Sequence, residues 1–203
     1  MLTLVPLDTL LAFASAGILL NLTPGSDVMF ATASGLAGGP RAGMAAGAGV
    51  GLGGFWHVGL AALGVAALLA ANPAAMTALR WFGAGYLAYL AYSAWTAGPV
   101  EPSQGTPNLA RAFWRGFVTN ALNPKVALFV LAFLPQFTDP ARGPVWQQIL
   151  ILGAVFTLTG MCVTAGYGAI AGLAGQALSA RMGVMNKLAA VVFALLALRM
   201  IRE

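Results

Sequence analysis

Charge is the scarcest thing in this sequence: ten Lys and Arg and five Asp and Glu among 203 residues make it 7% charged, where a soluble domain carries about 25%. So little charge excludes a monomer solvated by water on all sides. With 60% hydrophobic residues and a mean hydropathy of +0.85, the outer surface must instead meet a lipid bilayer. Cysteine is nearly absent too. Cys162 stands alone, which excludes an internal disulfide and a Cys-based metal cluster, and its place deep in an apolar stretch assigns it to packing. The single histidine, His57, cannot by itself hold a metal, so neither metal nor cofactor is expected. The net charge of +5 and isoelectric point near 10.0 come from isolated Arg and Lys with no basic patch, which excludes nucleic acid as a partner. No Lys or Arg precedes the first apolar run and no A-x-A site follows it, so the N-terminus reads as a retained first span.

A hydrocarbon core of about 30 Å takes about 20 apolar residues per helix, and the few charges mark the spans out. Asp8 to Asp27, Arg41 to Arg80, Arg80 to Glu101 and Arg142 to Arg181 each enclose a charge-free stretch. The reading is an all-α integral membrane protein with one transmembrane domain over 1–203 and six helices, at 7–37, 42–71, 76–97, 111–137, 146–176 and 183–201. Gly38-Gly39-Pro40-Arg41, Asn72-Pro73 and the segment 139–144 supply the turn and breaker residues between them. A Pro-rich linker at 98–110 separates repeat one, 1–97, from repeat two, 111–203. Shifting the chain by one hundred positions (122 − 22) lays Leu22-Thr23-Pro24-Gly25 over Leu122-Asn123-Pro124-Lys125, with Arg41 and Arg142 following. A repeat of three spans must be inverted relative to its copy. Broken helices at matching places in inverted repeats point to a secondary transporter with a midplane site. Basic residues divide almost evenly between the two faces, and the N-terminus lacking them, the reading puts both termini outside the cytoplasm.

Pro inside a span removes a backbone hydrogen bond and clashes one turn back, so Pro24 and Pro124 are expected to break helices 1 and 4. Backbone groups freed in this way are tolerated in a bilayer only inside the bundle or beside a wet cavity. Each proline has polar neighbours: Asn21, Thr23, Gly25, Ser26 and Asp27 for the first, Asn120, Asn123 and Lys125 for the second. Asp27 is the one carboxylate carried well inside a predicted span, and an ionisable group there is a functional candidate by default. Lys125 is its natural counter-charge, and the two are expected to share a polar cavity. The bland alternative ends helix 1 near Leu22 and makes Asp27 the cap of a following helix. His57 shares a helical stripe with Gly53, Leu60 and Gly64, either as a buried hydrogen-bonding group or on a solute path. Thr157, Gly160, Thr164 and Tyr167 form a hydroxyl-bearing stripe, although Ser and Thr also bond to their own helix.

Gly49-Val50-Gly51-Leu52-Gly53-Gly54 satisfies G-x-G-x-x-G but has neither the preceding strand nor the following acid of a dinucleotide site. Gly43, Gly47 and Gly51, with Gly49 and Gly53, and later Gly168 and Gly172, give the small-xxx-small spacing of closely packed membrane helices. Such faces serve either a homodimer or a single bundle. Two rival functions stay open on these residues. Ser26 and His57 could form an intramembrane hydrolase, against which stands the missing G-x-S-x-G elbow. A passive small-solute channel would need a ring of charges or a filter, and neither is visible.

Several segments together resemble the LysE/RhtB family of bacterial amino-acid exporters over nearly the whole chain. They are Leu22-Thr23-Pro24-Gly25-Ser26-Asp27-Val28, Gly38-Gly39-Pro40-Arg41-Ala42-Gly43, the glycine-rich run to His57, and Gly83-Ala84-Gly85-Tyr86-Leu87. The most specific are Asn120-Ala121-Leu122-Asn123-Pro124-Lys125 and Phe133-Leu134-Pro135-Gln136-Phe137 at their separation. The resemblance implies an exporter in the bacterial cytoplasmic (inner) membrane, driven by the proton motive force, without a covalent cofactor. Its partners would be a small amino acid, protons and lipid, and one carboxylate with one Lys suits neutral cargo such as threonine, homoserine or leucine-like solutes. Family members favour Pro where this chain has Ser26, which bears on the backbone of the first break.

Overall fold

The computed structural model describes residues 4–72, 74–96, 104–174 and, apart from 189 and 192, 187–198. The described residues form helices and the turns between them. The helices are α1 (Leu7–Leu22), α2 (Ser26–Leu60), α3 (Ala66–Ala71), α4 (Ala75–Thr96), α5 (Leu109–Ala121), α6 (Pro124–Leu128) and α7 (Val145–Ala174). A π-helical turn, Ala61–Val65, joins α2 to α3, and a second, Phe129–Phe133, continues α6 into the 3-10 turn Leu134–Phe137. A short 3-10 turn, Pro140–Arg142, precedes α7, and the described residues of 187–198 are helical. The predicted sixth helix and the linker 98–110 lie partly outside the described residues.

Two helical stretches, Ser26–Leu69 and Val145–Ala174, are long and apolar enough to cross a membrane, and Leu109–Ala121 with Pro124–Phe137 makes a third if the bent pair counts as one span. The first has 44 residues, which at 1.5 Å each would reach about 66 Å, roughly twice a hydrocarbon core. It does not run straight. Gly39 has φ 77° and ψ −177°, a backbone that favours glycine, and Pro40 follows at the start of the next turn. Side-chain positions on Gly35 and Gly43 both abut the main chain of Gly168, although eight residues of straight helix would hold them about 12 Å apart. The chain therefore doubles back at Gly39, and α2 consists of two antiparallel limbs, 26–38 and 40–60. The predicted break at Gly38-Gly39-Pro40-Arg41 is where the sequence placed it.

Small residues hold this hairpin against its neighbours. Gly43, Gly47 and Gly51 face Gly168, Ala165 and Met161 of α7, while Gly49 and Gly53 face Phe113 and Asn120 of α5. Gly35 and Gly172 extend the α7 contact to the first limb and the Gly39–Pro40 turn. With lipid outside, helix association depends on this kind of backbone approach rather than on apolar burial. The outer faces carry bulky apolar groups instead: Leu63 and Leu173 are each 78% exposed. Cys162 is on this outer face, which corrects its assignment to packing. The His57 stripe also divides, since Gly53 and His57 are buried while Leu60 and Gly64 point outward. The glycine faces are taken up within one chain, which removes their value as a sign of a homodimer.

A Cβ at Gly43 would fall on the main chain of Gly168, whereas one at Gly85 meets nothing within 4 Å. Gly43→Ala is expected to lower the thermal midpoint in detergent by the equivalent of about 1–3 kcal/mol. Gly85→Ala should leave it unchanged or raise it by virtue of better helix propensity. Equal behaviour of the two variants would contradict the packing described.

Candidate functional site

The two predicted breaks are present, and each proline acts through the residue before it. Proline disfavours the helical region for its predecessor, and Thr23 (φ −69°, ψ 119°) and Asn123 (φ −79°, ψ 109°) are both extended. Pro24 therefore lies between helices rather than inside one, and α2 begins two residues later at Ser26. Pro124 is the first residue of α6, where its missing N–H is no loss. The expected breaks of helices 1 and 4 are each a pair of separated half-helices, α1 with α2 and α5 with α6. The second pair is bent by 51°.

A helix end inside a membrane strands backbone groups that water cannot reach, and here the other half of the chain supplies their partners. Lys125 Nζ crosses from the start of α6 to the end of α1 and donates to the carbonyls of Leu20 (3.2 Å) and Thr23 (3.0 Å). Its ammonium thus leaves the unfavourable N-terminus of its own helix for the negative C-terminal end of another. Tyr167 donates its hydroxyl to the Leu22 carbonyl at 3.2 Å. In return Asp27, in the first turn of α2, accepts from the side-chain amides of Asn120 and Asn123 through Oδ2, both at 2.9 Å. Asn123 has a second task, its Oδ1 capping α6 by accepting from the Lys125 amide at 2.9 Å. His57 Nε2 donates to the Asn120 carbonyl at 3.0 Å, which fixes that ring nitrogen as the protonated one because a carbonyl only accepts. Asn21 ties α1 to α7 through the Phe156 carbonyl and Thr159.

These residues enclose a cavity of about 30 Å³, room for about two waters. Of the sequence-derived candidates, Asn21, Gly25, Asp27, Asn120, Lys125 and Thr164 line it. Thr23, Asn123, His57 and Tyr167 stand behind the lining, and Pro24 and Pro124 set the breaks. Ser26 is exposed. With His57 buried and bonded to Asn120, nothing joins the two into a hydrolytic pair. The expected Asp27–Lys125 ion pair is not formed either: among the described residues the ion pair is Arg142–Asp139, at 3.3 Å. Each charge is met by dipoles, amides for the acid and carbonyls for the base.

Thr157 carries more weight than its place in a stripe of hydroxyls suggests. Its Oγ1, Asp27 Oδ1 and Asn120 Oδ1 are buried without a hydrogen-bond partner, and all three residues line the same cavity. Buried polar atoms are rarely left unpaired, and three around one small space mark a place for a hydrogen-bonding guest. Gly53 and Gly54 make it by leaving room beside Asn120 Oδ1 and Thr157. No local pattern in the sequence distinguishes these two glycines from the packing set around them.

Lys125→Met keeps the apolar stem and removes the ammonium, stranding the Thr23 carbonyl. It is expected to destabilise the protein in detergent by about 1–3 kcal/mol, read as a fall in thermal midpoint. An unchanged midpoint would mean that Lys125 does not support the end of α1.

Comparison with known proteins identifies the family. Residues 18–203 match the LysE type translocators. The chain is 32% identical to an uncharacterized membrane protein of Vibrio cholerae over 90% of its own length and 91% of the relative's. It is 30% identical to the homoserine/homoserine lactone efflux protein of Salmonella typhimurium over 79% of each chain. No solved structure matches it. With the resemblance read from Asn123-Pro124-Lys125 and its surroundings, these matches make the chain a member of the LysE type translocator family, a membrane transporter and not an enzyme.

Proposed function

We propose that this protein exports small neutral amino acids, homoserine-like in size, across the bacterial cytoplasmic membrane in exchange for protons. The observation that carries this reading is the polarity of the cavity wall. Asp27 Oδ1 and Asn120 Oδ1, both acceptors, and the Thr157 hydroxyl wait without partners, which suits an ammonium. Lys125 and Gly25, the residue at the start of α2, line the same cavity. No side chain caps Gly25 at that helix start, whereas Asn123 caps α6, so the α2 terminus is the one suited to a carboxylate or ester oxygen. One acid and one base suit a zwitterion better than a dication. Homoserine, named with its lactone for the Salmonella relative, is such a zwitterion, and the lactone keeps the ammonium and an ester oxygen.

The cavity is too small for such a solute, which suits an occluded state in an alternating-access cycle and not a passive open pore. Six spans built as two inverted repeats, helices 1 and 4 being the broken pairs, fit the hairpin at Gly39 and the reciprocal crossing of Lys125 and Asp27. With six spans both termini share a face, proposed as the outer one. Coupling follows from the single buried carboxylate. A proton on Asp27 removes the partner of the solute's ammonium and favours its release, and the deprotonated form binds the next solute.

Asp27→Asn in proteoliposomes with an imposed pH gradient is expected to abolish uphill transport while leaving a folded protein that exchanges solute slowly. Wild-type pH dependence in that variant would refute the coupling role. In the same vesicles threonine, homoserine or leucine should be carried in preference to arginine. Transport of arginine with none of the three would refute the cargo class.

A further inference from the structure

The cavity is closed in different ways toward its two faces. Toward the Gly39 turn, backbone lies on backbone: Gly35 and Gly43 meet Gly168, Gly47 meets Ala165, Gly49 meets the Phe113 carbonyl and Gly116 the Ala46 carbonyl. Opening there requires whole helices to part. Toward the 138–144 loop the seal is made of side chains. Phe156 lines the cavity, and Phe129 packs on it with ring centroids 4.8 Å apart. Phe133 follows at 4.7 Å and Phe137 at 5.0 Å. Phe13 of α1 closes the group from the side, 6.0 Å from Phe129 and 5.3 Å from Phe137. Phe133 and Phe137 in turn border a vestibule of about 510 Å³ whose wall includes Asp8, Gln136, Asp139 and Arg142. An unbroken run of aromatic rings thus separates a polar cavity from a polar vestibule.

The backbone that carries the run is itself irregular. Phe129 and Phe133 are the two ends of a π-helical turn, and Phe137 ends the 3-10 turn after it. This turn touches the other π-helical turn, Ala61–Val65. Such turns have weaker hydrogen-bond registers than an α-helix and recur at functional hinges. A dry apolar constriction stops water and charged solutes without any charge of its own.

We infer that Phe129, Phe133, Phe137, Phe13 and Phe156 form the gate between the solute cavity and the vestibule at the 138–144 loop, swung by the π-helical turn that carries Phe129 and Phe133. The gate opens by movement of rings and one irregular segment while the glycine-packed side stays shut. It rests on the proposed midplane solute site for its purpose, but its labelling test needs no cargo.

In a Cys162→Ser background, Val126→Cys places a thiol in the cavity wall, to be labelled by a membrane-impermeant cationic methanethiosulfonate added to one face of the membrane at a time. Adding Phe129→Ala is expected to raise the labelling rate at least tenfold from the 138–144 face alone. Phe193→Ala, an equally buried phenylalanine of the same core outside the run, should leave the rate unchanged. An unchanged rate in Phe129→Ala, or a rise from the opposite face, overturns the gate. Should Phe129→Ala fail to fold, Phe13→Cys with Phe137→Cys, without Val126→Cys, can be bridged through two disulfides by a short bis-methanethiosulfonate. Bridging should stop homoserine flux through proteoliposomes until reductant is added, and undiminished flux in the bridged protein overturns the proposal. A protein carrying some other solute would leave the labelling result intact, so a wrong cargo and a wrong gate give different outcomes.

Discussion

A helix that stops inside a bilayer must find partners for its last carbonyls and the next helix's first amides, and nothing outside the protein can provide them. The rest of this structure is arranged around that constraint. Lys125 answers it for α1 by reaching the carbonyls of Leu20 and Thr23. Asn123 answers it for α6, and with Asn120 also holds Asp27. Each break thus also receives groups from the other half, Lys125 at the first and His57 with Asp27 at the second. The two charges most expensive to bury are thereby held beside one cavity without being spent on each other. They can be met by a guest that brings its own pair of charges.

Packing follows from where rigidity is needed. The hairpin of α2 is clasped by α5 and α7 through Gly43, Gly47, Gly49 and Gly53, which hold backbone so close that relative sliding is costly. On the opposite side of the cavity the core changes character to Phe13, Phe129, Phe133 and Phe156, all buried. Rings on a π-helical turn can move where stacked backbones cannot. Gln148 marks the outer limit of this side: it is buried and binds the main chain at Asp139 and Gly143, fastening the 138–144 loop to α7.

Much of this is legible in the sequence for identifiable reasons. Pro24 and Pro124 announce the breaks because proline restricts its predecessor wherever it occurs, and Gly39-Pro40 announces the hairpin by the same local logic. Charge scarcity picks out Asp27 and Lys125, since a bilayer makes every interior charge conspicuous. What stays hidden depends on distance through space. Asp27 and Lys125 read as a salt bridge because opposite charges at matching positions attract, yet the end of α1 competes for the ammonium and two Asn amides for the acid. Thr157 gains its role only once α5 and α7 close on Gly53 and Gly54. The phenylalanine run joins α1, the π-helical turn and α7, and its members look like ordinary core residues in each.

The central claim is that the cavity recognises an ammonium with waiting acceptors and the solute's other end with Lys125 and the start of α2. Competition for binding by homoserine, homoserine lactone and 4-hydroxybutyrate, measured on the purified protein, tests it most directly because 4-hydroxybutyrate lacks only the ammonium while the lactone joins the carboxylate to the hydroxyl as a cyclic ester. The account predicts that homoserine binds best and that the lactone, which keeps the ammonium and an ester oxygen, binds more weakly. 4-Hydroxybutyrate, which lacks the ammonium, should not compete. Competition by 4-hydroxybutyrate at the strength of homoserine would contradict it.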